Sequence, residues 1–151
     1  MEQTALVKIS GDLLENKKFF VWLKEKSEMF SIFILIGGGK QINEAFQRKR
    51  FPIKFVDGAR VTENEEQKNL AEYILLKNQK KVQDICDKKK IYTEVVVPVI
   101  YVDKNLQHIN GDDYAILATW LFDKVFVMTL ENRVGTKNEK FRDYPIEIVG
   151  L

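Results

Sequence analysis

The sequence predicts an α/β fold in which a mainly parallel sheet lies between layers of helices, a three-layer sandwich. The first observation is the apolar run at residues 32–36, whose branched side chains are typical of a strand buried on both faces. The second is a helical pattern that follows a glycine run and places Ile42 and Phe46 on one face. The third is the order of the segments, because a β-α-β-α opening favours parallel strands with right-handed crossovers.

The composition favours a globular protein that forms a single domain over residues 1–151. No apolar run approaches the roughly 20 residues that a membrane helix needs, and the first residues lack the pattern of a signal peptide. Cys86 is the only cysteine, which excludes an internal disulfide and fits a reducing cytoplasm. The lack of a long apolar run predicts that the protein has no membrane partner. The net charge of +2 is too small to indicate a nucleic acid partner.

Short local patterns predict the elements in order. A first strand is expected at residues 4–9 and a helix from about residue 13 to residue 29. Residues 51–56 and 59–61 flank the turn signal Asp57-Gly58, which predicts an edge strand or a hairpin. Thr62 and Glu65 have the spacing of a capping box, so the next helix is expected to begin there, with a break at Asn78 as one alternative.

The second half of the chain continues the alternation of strands and helices. A β-branched run at residues 93–102 is interrupted by Pro98, and residues 103–105 are expected to form a polar turn. Residues 108–113 lead into another helix, and residues 125–129 are apolar enough for a further buried strand. Residues 131–151 are expected to be a polar tail, in which residues 144–149 could add a last strand.

The ends of the two leading strands carry residues that suit an anion. Lys8, Ser10 and Gly11 end the first strand, and the run Gly37-Gly38-Gly39 ends the second. Carboxyl ends of parallel strands meet at one edge of a sheet, where ligands bind in folds of this class. Glycines at a helix start leave backbone N–H groups and the positive end of the helix dipole for a phosphate or a carboxylate. A tight turn without any ligand explains the glycines equally well.

Together these segments resemble the amino acid kinase family, and its N-acetylglutamate kinase branch most closely. The resemblance covers residues 4 to about 130 and rests on four segments in the family's order: Lys8-Ile9-Ser10-Gly11-Asp12, Gly37-Gly38-Gly39-Lys40-Gln41-Ile42-Asn43-Glu44, Phe55-Val56-Asp57-Gly58-Ala59-Arg60-Val61-Thr62 and Asn110-Gly111-Asp112. It implies an abridged amino acid kinase fold, which is carbamate kinase-like, with mostly the half that binds the acceptor. The family's nucleotide-binding part lies beyond the strand at residues 125–129 and has no counterpart here.

The resemblance implies phosphoryl transfer from ATP, with Mg, to a carboxylate of a small acidic substrate such as an N-acylated amino acid, as in arginine biosynthesis. Lys8 would neutralise charge on the phosphates, and Asp112 would orient that lysine. The phosphate-binding residues would be Ser10, Gly11, Gly37, Gly38 and Gly39, with Gly11, Gly38 and Gly39 offering backbone N–H groups. The substrate-binding residues would be Gly58, Arg60, His108 and Asn110, with Arg60 holding the acceptor carboxylate through its two-pronged donor geometry.

Two functions stay open, and whether the chain is an enzyme stays open with them. The first is an ATP-dependent kinase that works alone with a rearranged nucleotide site, or with a partner chain that supplies such a site; a homo-oligomer also stays open. The second is a non-catalytic relative that binds a small anionic ligand or another protein.

Several of these residues also have interpretations that need no ligand. Arg60 could pair with a nearby carboxylate, and Asp112 could serve only as a helix-start residue. His108 is the only histidine, so no multi-histidine metal site is expected and the residue fits a polar loop. Lys137 and Lys140 could replace a missing second lysine of the family, but a solvated tail is the expected arrangement.

Overall fold

The computed structural model describes residues 3–103 and 105–151; Lys104, in the predicted polar turn, lies outside the described residues. In chain order the elements are β1 (Gln3–Ile9), α1 (Lys17–Lys26), β2 (Phe30–Ile36), α2 (Gly39–Lys49), β3 (Lys54–Val56), β4 (Ala59–Val61), α3 (Glu65–Lys88), β5 (Thr93–Val96), β6 (Val99–Val102), β7 (Asn105–His108), α4 (Gly111–Ala118), β8 (Lys124–Thr129), α5 (Val134–Lys140) and β9 (Ile146–Gly150). Within these described ranges, no helix combines the length and the apolar character that crossing a membrane requires.

Five strands of the described chain form a parallel sheet with the order β5-β2-β1-β8-β9. The α/β class and the mainly parallel sheet are therefore confirmed. Ile9 of β1 lies beside Ile36 of β2 at the carboxyl ends of the two strands. Gly37 then donates its N–H to the carbonyl oxygen of Ile9 at 2.9 Å, which extends the pairing into the glycine turn. The ends of the two leading strands thus lie side by side.

Helices cover both faces of the sheet. Buried side chains of α1 and α3 pack on one face, and Ala115 and Ala118 of α4 pack on the other. The alternation of side chains along β1 explains this arrangement, since Val7 and Ile9 belong to the first cluster and Leu6 to the second. Both faces of the central strands are buried, as their continuous apolar pattern predicts.

The strand β5 forms one edge of the sheet, and α3 protects its outer side. Gln83 donates from Nε2 to the carbonyl oxygen of Thr93 at 3.1 Å and accepts at Oε1 from the N–H of Val95 at 3.1 Å. Gln79 donates to the carbonyl oxygen of Val95 at 2.6 Å. These side-chain amides occupy backbone groups that would otherwise be free to pair with the strand of another chain.

Two hairpins stand apart from this sheet. β3 and β4 pair antiparallel around Asp57 (φ 50°) and Gly58 (φ 78°), the positive φ angles of a two-residue hairpin turn. β6 and β7 form the second antiparallel pair. Pro98 lies between β5 and β6, so the run predicted at residues 93–102 is divided between the parallel sheet and this hairpin.

The first helix is shorter than the sequence predicts. Residues 11–13 form a 3₁₀ turn, and α1 begins only after Asn16, so the predicted span of residues 13–29 is wrong at both ends. The Oδ1 atom of Asn16 accepts from the N–H of Phe19 at 3.1 Å and caps the helix. This cap competes with an earlier helix start and was not predicted from the sequence.

The start of α3 also differs from the prediction. The capping residue is Asn64, whose Oδ1 accepts from the N–H of Gln67 at 2.9 Å, so the capping box of Thr62 and Glu65 is wrong. The helix then continues without a break through Asn78, which is buried. A helix of this length is possible there because its apolar residues pack on α2 and on the sheet.

The C-terminal segment, expected as a polar tail that could add a last strand, contains a helix and a strand. Residues 131–133 form a 3₁₀ turn, α5 follows, and Phe141 at its end is 2% exposed. β9 pairs in parallel with β8, which confirms the predicted last strand. Phe141 and the apolar side chains of β9 join the core of the sheet, and they anchor the polar residues between them.

Candidate anion-binding site

A cavity of about 330 Å³ opens at the carboxyl edge of the sheet. It lies between the ends of β1, β2 and β8, the starts of α2 and α4, and the two hairpins. Every residue that the sequence analysis assigned to a site lies in its wall: Lys8, Ser10, Gly11, Gly37, Gly38, Gly39, Gly58, Arg60, His108, Asn110 and Asp112. The fold thus brings these residues together, while the roles assigned to them stay predictions.

Lys8 and Asp112 form a buried ion pair in this wall, although they are 104 positions apart in the chain. Nζ of Lys8 donates to Oδ1 of Asp112 at 3.0 Å, and the two side chains are 10% and 9% exposed. The middle of the sheet supplies Lys8 from β1, and the first turn of α4 supplies Asp112. Burial lowers the pKa of Lys8, and the charge of Asp112 opposes this effect only in part.

Two lysines of α5 complete a cluster around the same carboxylate. Nζ of Lys137 donates to Oδ2 of Asp112 at 2.7 Å, and Nζ of Lys140 donates to it at 2.8 Å. Burial by itself raises the pKa of the Asp112 carboxyl, but the three ammonium groups hold it well below its usual range. Among the described side chains, one carboxylate here faces three cations, so the cluster carries an excess of positive charge.

This contribution of α5 was not predicted from the sequence. Lys137 and Lys140 were expected in a solvated tail, whereas both ammonium groups contact Asp112. Their spacing, which puts them on one turn of a helix, was the available signal. Asp112 also had an interpretation as a helix-start residue alone. Its N–H does donate to Oδ1 of Asn110 at 2.7 Å at the start of α4, but its carboxylate is the centre of the cluster.

Arg60 is held with its guanidinium group against the cavity. Nη2 donates to Oδ1 of Asn43 at 2.6 Å, and the group lies 5.2 Å from the ring centroid of Phe46 and 4.8 Å from that of Phe55. Burial lowers the pKa of Arg60. Nη1 is buried and has no hydrogen-bond partner in the described part of the chain. The alternative of a surface pair with a carboxylate is not seen among those residues.

Asn110 links the second hairpin and α4 to the first hairpin. Its Nδ2 donates to the carbonyl oxygen of Gly58 at 2.5 Å, while its Oδ1 caps α4. A side chain at Gly58 would come within 3.1 Å of the same Nδ2. Both ends of the Asn110 amide are therefore engaged by the protein, which supports a positioning role for this residue.

The glycine turn places the start of α2 against the cavity. The first helical bond runs from the N–H of Ile42 to the carbonyl oxygen of Gly38 at 2.8 Å, so the N–H groups of the first turn have no carbonyl partner within the helix. A side chain at Gly38 would come within 2.8 Å of Leu75, whereas one at Gly39 would meet nothing within 4 Å. Gly37 differs from both, because the sheet already uses its N–H.

Two further polar atoms of the predicted residues are buried without a partner among the residues that the structure describes. They are Oγ of Ser10 and Nε2 of His108. Burial lowers the pKa of His108, so its imidazole is neutral near pH 7. In the wall of the same cavity, Asp12 contacts Arg133 at 3.2 Å and Lys40 at 3.6 Å.

A second cavity, of about 550 Å³, lies between α2 and α3. Although it is larger, its charged side chains are mostly exposed, and some of them pair with each other, as Lys81 does with Glu15 at 2.7 Å. It contains neither the buried ion cluster nor Arg60. We therefore place the candidate site in the smaller cavity. No group of three or more His, Cys, Asp or Glu residues in the described ranges is arranged to hold a metal ion.

Comparisons with known proteins bear on the fold. No protein-family model matches the sequence, and neither does any curated protein. Among solved structures, smu.665 from Streptococcus mutans UA159 matches with a TM-score of 0.64 and 16% identity, over 97% of this chain and 86% of that one.

N-acetylglutamate synthase from Neisseria gonorrhoeae matches in two complexes. With coenzyme A and L-arginine bound, its TM-score is 0.67 at 11% identity, over 85% of this chain and 44% of the synthase. With coenzyme A and N-acetyl-glutamate bound, its TM-score is 0.68 at 12% identity, over 86% of this chain and 42% of the synthase. This chain thus spans less than half the length of the synthase, and at such identities the likeness shows the fold alone.

These comparisons contradict the family resemblance inferred from the sequence. No family model matches, and the named enzyme among these structures is an acetylglutamate synthase that holds coenzyme A. Four predictions are therefore wrong: the kinase family, the ATP-dependent reaction with its place in arginine biosynthesis, the Mg-ATP cofactor and the abridged kinase fold. The non-catalytic alternative assumed the same family and gains no support. Short matches at strand ends report backbone geometry that many α/β sheets share.

Proposed function

We propose that the cavity binds a small acidic ligand, an N-acylated amino acid whose negative charge lies on carboxylate groups. The observation that carries this proposal is the excess of positive charge in the wall, where the described lining residues include five cations and two carboxylates. The cavity of about 330 Å³ also lies within the range of small-molecule sites, about 300–1,000 Å³.

Arg60 is the first contact that we assign to the ligand. Its guanidinium is fixed by Asn43 and by two aromatic rings, so little freedom is lost when a carboxylate binds. Arg60 lines the cavity and its Nη1 has no partner among the described residues, so Nη1 can complete a charge-assisted hydrogen bond to the ligand. Such bonds are worth about 1.5–3 kcal/mol each.

The second contact that we assign is the region between the glycine turn and the lysine cluster. The N–H groups at the start of α2 suit a negative or strongly polar group. Lys8 and Lys137 line the same wall, and Asp112 balances only part of their charge. A ligand with one carboxylate at Arg60 and a second anionic or amide group at this end satisfies both regions.

The solved synthase structures support this ligand class, since one of them contains N-acetyl-glutamate. We also propose that the fold is a three-layer sandwich, with one helical layer on each face of the sheet. Two such layers would leave the carboxyl edge of the sheet open for the ligand.

Isothermal titration calorimetry of the full chain with N-acetyl-L-glutamate tests the proposal. We expect binding, with weaker binding of N-acetyl-L-glutamine because it lacks one carboxylate. L-arginine and coenzyme A, the other ligands of the synthase structures, are compared in parallel. At a free ligand concentration of one hundred times the Kd, binding should also raise the free energy of unfolding by about 2.7 kcal/mol. Binding of coenzyme A alone, or of none of these ligands, would overturn the proposal.

The variant Arg60→Gln locates the site. We expect its affinity for N-acetyl-L-glutamate to fall by about 1.5–3 kcal/mol, because one charge-assisted contact is lost. Arg142→Gln is the matched control, since the Arg142 side chain is 77% exposed and faces Asp143 at 3.8 Å. Equal affinity of the two variants would exclude Arg60 from the site.

A further inference from the structure

His108 and Arg60 each carry a buried nitrogen without a hydrogen-bond partner among the described residues. Both residues line the candidate site, and both also line a smaller cavity of about 70 Å³ next to it. Nε2 of His108 and Nη1 of Arg60 are buried, and neither has a hydrogen-bond partner within residues 3–103 and 105–151. A buried polar atom without a partner is unfavourable, so two such atoms at one cavity indicate a shared ligand group.

We propose that one carboxylate of the ligand bridges Nη1 of Arg60 and Nε2 of His108, and that His108 takes up a proton from solvent when the ligand binds. This inference rests on the proposed function, because it assigns two groups of the protein to one carboxylate of the acidic ligand. It deepens that function by making the affinity depend on pH.

The charges around His108 set the direction of the coupling. Burial lowers its pKa, Glu72 of α3 raises it, and Lys68 of α3 and Arg60 of β4 lower it. The imidazole of the free protein is therefore neutral near pH 7. A carboxylate between Arg60 and His108 balances the charge of Arg60 and adds a negative charge beside the ring. Both effects favour the protonated imidazole, so binding and protonation support each other.

Proton uptake makes binding tighter at lower pH. When one proton is taken up, the Kd falls by up to about tenfold for each pH unit between the pKa of His108 in the complex and its pKa in the free protein. The carboxylates of the ligand keep their charge over this range, because their pKa values lie near 4.

Proton NMR measures the titration directly, because His108 is the only histidine and its ring signals need no assignment by mutation. The full chain is titrated across the range of about pH 5 to 8.5 with and without N-acetyl-L-glutamate. We expect a pKa below the usual histidine range in the free protein and a higher pKa in the complex. Calorimetry in two buffers of different ionisation enthalpy should then report uptake of up to one proton.

The outcomes separate this inference from the proposed function. If N-acetyl-L-glutamate binds and the pKa of His108 does not rise, the inference is overturned and the proposed function stands. If the ligand does not bind and the histidine titration is unchanged, both are overturned. The variant His108→Asn keeps a polar amide at this position but cannot titrate, so we expect its Kd to lose the pH dependence of the wild type. A pH dependence that persists unchanged in this variant also overturns the inference.

Discussion

The variant Asp112→Asn should strongly destabilise the protein. In the wild type the Asp112 carboxylate accepts from Lys8 at 3.0 Å, from Lys137 at 2.7 Å and from Lys140 at 2.8 Å. An asparagine keeps the volume of the side chain but leaves three ammonium groups facing a neutral amide. Removing one partner of a buried ion pair costs about 3–5 kcal/mol, and we expect about 3 kcal/mol because Lys140 is half-exposed and can turn to solvent.

Urea denaturation at pH 7, followed by circular dichroism, measures this loss. In thermal denaturation, the same destabilisation of about 3 kcal/mol should lower the Tm by about 6–12 °C for a chain of this length. Asp113→Asn is the matched control, because Asp113 is the next residue in the same helical turn and is exposed. Its loss should stay below about 1 kcal/mol, the contribution of an exposed charge to the helix dipole. Equal losses in the two variants would refute the assignment of Asp112 as the centre of the cluster.

A double variant examines the same reasoning from the cation side. Lys8→Met combined with Asp112→Asn removes one of the three repelling ammonium groups together with the carboxylate. The combined loss should therefore be smaller than the two single losses added together, by about 0.5–3 kcal/mol. Additive losses in a double-mutant cycle would mean that Lys8 and Asp112 act independently.

Three further predictions concern acid stability, the sheet edge and the hairpin turn. The stability that Asp112 contributes should be lost as the pH falls from about 4 downward, because the pKa of its carboxyl is lower in the folded chain than in the unfolded chain. The difference in unfolding free energy between the wild type and Asp112→Asn should therefore shrink over this pH range. Gln83→Ala should cost about 1–3 kcal/mol and increase light scattering on heating, since it uncovers the edge of β5, whereas the exposed control Gln47→Ala should do neither. Gly58→Ala should cost about 1–2 kcal/mol because Gly58 has φ 78°, while Gly135→Ala, in α5 with nothing within 4 Å of the added carbon, should stabilise by about 0.5–1 kcal/mol in the same denaturation assay.

The sheet was predictable because its pattern is continuous. The apolar runs of β1, β2 and β8 are buried on both faces, and the helices between them leave parallel pairing as the expected arrangement. Helix starts were less predictable, since several polar residues near each start can act as the cap. Thr62 and Asn64 both precede α3, and the geometry of the approaching chain selects Asn64.

The site was predictable where a local backbone feature marks it. Lys8 at a strand end, the glycine turn and the Asp57-Gly58 hairpin turn each carry a local signal, and the parallel sheet brings them to one cavity. The lysines of α5 carry only their helical spacing as a local signal. Their position depends on Phe141 and β9 joining the core far along the chain, and long-range packing of this kind is not visible in a window of polar residues.

The short motifs pointed to residues that do lie in one cavity, yet the reaction inferred from them is contradicted by the comparisons. Both results have the same cause, because a glycine turn at a strand end fixes where N–H groups point and leaves the reaction undetermined. The kind of ligand that suits the cavity follows instead from the charged groups in its wall. Arg60 lacks an acceptor for Nη1 among the described residues, and three lysines share the carboxylate of Asp112. A ligand that brings negative charge relieves both, whatever chemistry follows its binding.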